Sequence, residues 1–106
     1  MKKYFFVTLF ALMGISAGIV AKTATPEINR TQAEQQRRIH EGVATGQLTR
    51  HETKKLEKQQ RKIERDKLKA KADGVVTPAE RRHIHKEQAK ASRKIYKEKH
   101  NGKVSY

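Results

Sequence analysis

The chain has 106 residues, no cysteine, and 25 Lys plus Arg against 11 Asp plus Glu, for a formal charge of +14. That length holds one domain at most, and without cysteine neither a disulfide nor a thiolate-bound metal can staple it. Charge of one sign repels itself, so the folded state is expected to be marginal, or to gain stability from a partner or a second copy.

Met1, Lys2 and Lys3 form a basic start, and the run from Tyr4 to Ala21 that follows is uncharged. A positive n-region before an apolar h-region is the pattern of a secretory signal peptide. Residues 1–21 are therefore expected to direct export, with cleavage after Ala21 as first choice and after Ala24 as second. The alternative is a retained anchor in the inner membrane formed by residues 4–21, a run just long enough to span; the Lys pair would then leave the remainder outside the cytoplasm. In both cases the basic part is expected to be periplasmic or secreted. Residues 22–30, with Pro26, read as a flexible leader, residues 31–102 as a basic three-helix domain, and residues 103–106 as a tail.

The three helices are expected over about 31–42, 49–72 and 77–100, each opened by a Thr with a Glu three residues later: Thr31 and Glu34, Thr49 and Glu52, Thr77 and Glu80. Such a pair forms a capping box, in which the Thr oxygen accepts an orphan backbone N–H and the Glu returns a bond to the cap. Pro78 falls at the first helical position, where its missing N–H costs nothing. Gly42, Gly74 and Asn101-Gly102 are the expected stops. Interiors rich in Lys, Glu, Gln, Arg and Ala favour helix. The apolar stripes are narrow: Ile28 and Ile39 on the first helix, Leu56, Ile63 and Ala70 on the second, Ile84, Ala91 and Ile95 on the third. Gln60 and Gln88 interrupt them and predict a thin polar seam. An all-α antiparallel bundle hides these stripes most simply.

The second and third helices repeat one unit. At a constant offset Gly46 matches Gly74, Leu48 matches Val76, Thr49 matches Thr77, Glu52 matches Glu80, Leu56 matches Ile84 and Gln60 matches Gln88. The run Lys69 to Glu80 resembles the twelve-residue loop of an EF-hand, with Asp73 at position five, Gly74 at six, Val76 at eight and Glu80 at twelve; Glu41 to Glu52 fits less well. Calcium needs oxygen ligands at positions one, three and five. Lys69 and Lys71 occupy the first two of these in one loop, and Glu41, Val43 and Thr45 stand in the other, so EF-hand calcium binding is not expected. The resemblance implies degenerate loops in which Glu52 and Glu80 act as caps, and Leu48 and Val76 pack between paired loops. The mature chain is also similar to a set of small exported bacterial proteins that carry a GxLTxxE unit followed by an ADGVVTxxER unit. That likeness implies a shape and a compartment, and no particular activity.

No nucleophile elbow, phosphate loop or zinc-protease helix motif is present, and a chain this short has little room to enclose a pocket; it is expected to be no enzyme and to need no cofactor. Asp66, mid-helix among lysines, reads as a solvated surface residue. His40, His51, His83 and His85 are the alternative: weak metal ligation through paired imidazoles, with no sulfur ligand in support. His83 and His85 stand two apart and so diverge on a helix. The charge is the strongest feature. Rows of Lys54, Lys58, Lys62 and of Lys86, Lys90, Lys94 keep one helix face wet and attract polyanions by counterion release. With export expected, genomic nucleic acid is set aside. The leading expectation is a non-catalytic helical protein whose basic faces bind an anionic envelope polymer, a lipid surface or a protein partner; a homo-oligomeric structural role is the other alternative.

Overall fold

The computed structural model describes residues 23–103. The expected signal or anchor segment and its preferred cleavage point lie outside the described residues, as do residues 104–106. Three helices follow in order: α1 (Pro26–Ala44), α2 (Arg50–Lys71) and α3 (Pro78–Lys99). No strand occurs among the described residues, and no described helix is long and apolar enough to cross a membrane.

Helices α2 and α3 begin where the capping boxes place them. Thr49 Oγ1 accepts from the Glu52 N–H at 3.1 Å while the Thr49 N–H donates to Glu52 Oε1 at 2.9 Å. Thr77 and Glu80 repeat the same pair of bonds at the same distances. Gly46 and Gly74 take φ of 76° and 87°, a region that a Cβ disfavours, and so reverse the chain ahead of each cap.

Helix α1 departs from expectation at both ends. It starts at Pro26, so residues 26–30 are helix and not a flexible leader, and Thr31 lies in its interior. Glu34 pairs with Arg37 at 2.6 Å instead of closing a capping box. The reason is Ile28: its burial to 1 % exposure ties the early turn to the core, and tertiary packing overrides a good local start signal. At the other end the helix runs past Gly42 to Ala44. Gly42 is no stop. It is a buried helical residue whose missing Cβ makes room for Leu48; a Cβ there would lie 2.7 Å from Leu48 Cδ1 and Cγ.

The bundle runs up, down and up. Ile28, Ile63, Ala70, Val76, Ile84 and Ala91 form one core cluster, and Ile39, Leu48, Leu56 and Ile95 form the other. Each turn contributes its apolar residue to the nearer cluster, so the two turns sit at opposite ends of the bundle. Leu48 and Val76 therefore do not pack against each other, which corrects the paired-loop arrangement implied by the EF-hand resemblance. The cause is topological: each long helix carries the chain from one end to the other between successive turns. The stripe residues are buried within the single chain.

A buried glutamine layer joins the three helices. Gln60 Nε2 donates to Gln35 Oε1 at 2.7 Å, Gln35 Nε2 donates to the Gln88 carbonyl at 2.8 Å, and Gln88 Nε2 donates to the Ile28 carbonyl at 3.0 Å. This is the expected seam at Gln60 and Gln88, with Gln35 as a third member. Buried amides need partners; these bonds across helices fix the register of the bundle, and Gln88 Oε1 is left buried without one. On the rim, Arg38 clamps Ser92 by bonds to Oγ at 2.8 Å and to the carbonyl at 3.1 Å.

Candidate functional site: the α2–α3 groove

Two features lie side by side between α2 and α3. The first is a basic groove of about 360 Å³ lined by Lys55, Lys58, Gln59, Lys62, Arg65 and Lys94. On α2 the cations at 55, 58, 62 and 65 recur at helical spacing and so share one face; Lys94 closes the groove from α3. Of the six lysines predicted from the sequence, the fold brings Lys58, Lys62 and Lys94 together here. Lys54, Lys86 and Lys90 are exposed and do not line this groove. Lys55 and Arg65 were absent from the predicted set because regular rows of four hide the three-four alternation of a helix face.

Most acidic side chains are paired with cations, and three of them, Glu98, Asp66 and Glu87, pair with the groove's own Lys55 and Lys62. Glu34 and Glu41 pair with Arg37, Glu41 also with Lys99, Glu64 with Lys67 and Glu98 with Lys55. Among the described residues Lys54, Lys58, Lys86, Lys90 and Lys94 form no ion pair, so the excess charge is concentrated on the outer surfaces of α2 and α3.

The second feature centres on Lys62. Its Nζ lies 2.5 Å from Glu87 Oε2 and 2.9 Å from Asp66 Oδ2. The hydrogen bond to Glu87, and then that to Asp66, raises the Lys62 pKa. In return the Lys62 bond holds the Asp66 carboxyl below its ordinary value, against the upward push of burial. His83 joins from the next turn of α3: Nε2 stands 3.5 Å from Glu87 Oε1 and 3.8 Å from Asp66 Oδ2. Asp66 is thus no solvated surface residue; its side chain is 22 % exposed and lies between Lys62 of its own helix and His83 of α3.

Of the predicted histidines only His83 enters such a cluster. His40 is exposed, with Nε2 4.0 Å from Glu57 Oε2. His51 and His85 are exposed as well, and among the described residues neither they nor His40 belong to a group of three close metal-ligating side chains. The i, i+4 relation of His83 and Glu87 was visible in the sequence. That Asp66 lies opposite them depends on the α2–α3 register.

The turn glutamates are used as caps. Glu52 accepts from the Thr49 N–H and, through Oε2, from Asn101 Nδ2 at 2.5 Å. Asp73 Oδ1 accepts from the Val75 N–H at 3.2 Å, inside its own turn. No protein-family model matches the chain, and no characterised protein or solved structure is significantly similar to it.

Proposed function

We propose that the protein is a non-catalytic, exported polyanion-binding protein that takes phosphate-bearing envelope material, polymer or lipid surface, into the basic groove between α2 and α3. The observation that carries the reading is the convergence of Lys55, Lys58, Lys62, Arg65 and Lys94 on one groove while Lys54, Lys86 and Lys90 add uncompensated charge around it. Lysines are suited to this as compact point charges. Burying no aromatic surface for base stacking, the groove fits phosphate better than nucleobases. The expected export of the chain by residues 1–21 sets envelope polyanions above genomic ones. Glu98, Asp66 and Glu87 offset Lys55 and Lys62, and Lys58, Arg65 and Lys94 carry the uncompensated charge of the groove.

The test is co-sedimentation of the purified protein with vesicles of anionic phospholipid and, separately, with lipopolysaccharide, across a salt series. Binding should fall steeply with salt, as release of counterions requires. The triple variant Lys58→Gln, Lys62→Gln, Lys94→Gln should lose most of the binding, and Lys54→Gln, Lys86→Gln, Lys90→Gln should lose less. Equal losses would replace the groove by diffuse surface charge; undiminished binding in both would overturn the reading.

A further inference from the structure

We propose that Asp66, His83 and Glu87 form a binding site for a divalent transition-metal ion, in which the ion takes the place of the Lys62 ammonium. The donor atoms already converge: one from each of these three residues lies within 4.8 Å of the other two. A tetrahedral ion with bonds of about 2.0–2.1 Å needs ligand atoms about 3.3–3.4 Å apart. His83 Nε2 stands 3.5 Å from Glu87 Oε1 and 3.8 Å from Asp66 Oδ2, near that spacing, and an ion would draw the two carboxylates, which offer oxygens within 4.8 Å of each other, together on the third side.

The scaffold suits the purpose. His83 and Glu87 are one helical turn apart on α3 and project the same way, while α2 presents Asp66 from across the interface. Rigid helices hold all three ligands. Glu87 Oε1 is buried and has no hydrogen-bond partner. A carboxylate oxygen without a donor is costly and calls for a cation. The existing counterion answers this only in part. Lys62 binds the other oxygen of Glu87, and one ammonium faces two carboxylates, whereas a dication balances both.

Access is open on both sides. Asp66 and His83 line a groove of about 350 Å³ with Lys69, Ala70, Ala79, Glu80 and Ile84, which leaves space for water to complete the coordination shell. The Lys62 side chain is 56 % exposed, so its ammonium can swing into solvent or into the basic groove that it also lines. One imidazole with two carboxylates selects ions of the zinc, manganese or iron type. Calcium and magnesium take all-oxygen sites, and copper(I) needs sulfur.

Titration of the purified protein with zinc against a competing chromophoric chelator tests the proposal. One ion per chain is expected, and excess magnesium should not compete. His83→Gln and Asp66→Asn should each weaken binding by about ten- to a hundredfold, and His85→Gln should leave it unchanged. Lys62→Met should tighten it by about two- to fivefold, the strength of an exposed ion pair, because no ammonium has to leave. That gain cannot arise from a damaged fold, and circular dichroism on each variant confirms helicity. No saturable binding, binding that survives His83→Gln, or binding no tighter in Lys62→Met would overturn the site. None of these outcomes bears on the polyanion reading, which is scored on vesicles and lipopolysaccharide without zinc.

Discussion

The two turns are built from the same local device and meet different surroundings. In the first, Leu48 fills the space beside Gly42, and its N–H donates to the Gly42 carbonyl at 3.0 Å. In the second, the repeat equivalents are Val76 and Ala70, both 4 % exposed. The larger turn residue is matched with the smaller helix residue, and the smaller with the larger. Volume is thus conserved across the pair while identity is not, as close packing requires. The caps differ in the same way. Glu52 is 3 % exposed and held by Asn101, whereas Glu80 serves a cap whose bonds are exposed. A repeat in sequence fixes the local bonds of each turn. What each turn packs against is set by its end of the bundle.

Truncating the turn residues should separate the two ends most strongly. Leu48→Ala should cost about 2–5 kcal/mol, the usual range for a buried leucine. Val76→Ala removes fewer carbons and should cost less, at about 0.8 kcal/mol per methylene. Urea unfolding of both variants checks this, and equal losses would break the comparison.

The matched volumes give a sharper test. Gly42→Ala drives a Cβ into Leu48 and should cost about 1–3 kcal/mol of overpacking, offset by about 1 kcal/mol of helix propensity. Adding Leu48→Val recreates the Ala70–Val76 pairing and should recover part of that loss. A double-mutant cycle reads the coupling, and simple additivity would show that the two positions do not share their space.

The smallest effect concerns acid. Burial pushes the Glu52 carboxyl up, but the hydrogen bonds it accepts, from the Thr49 N–H first and then from the Asn101 amide, bring it down to about 2 from an ordinary 4.5. Because the folded value is the lower one, the unfolded chain binds more protons in that window, and stability falls as pH falls. The contribution of Glu52 is complete above pH 4.5 and is lost on descent through about 2. Glu52→Gln should therefore be less stable at neutral pH and show a shallower loss over that range. An unchanged acid limb would mean that the Glu52 environment is not the one described.

Much of this molecule is legible in its sequence, for reasons that are local. The caps at Thr49 and Thr77 need only residues within one turn, and the reversals at Gly46 and Gly74 need only a missing Cβ. The stripes at Leu56, Ile63, Ile84 and Ile95 follow from helical periodicity, and so does the seam at Gln60 and Gln88. Tertiary structure decided the rest. It extended α1 back to Pro26 because Ile28 found a core, and it carried the helix through Gly42 because Leu48 needed the space. By setting the α2–α3 register it gathered Lys58, Lys62 and Lys94 with Lys55 and Arg65 and left Lys54, Lys86 and Lys90 outside the groove. The same register put Asp66 opposite His83 and Glu87, a meeting of residues far apart in the chain that no local spacing encodes.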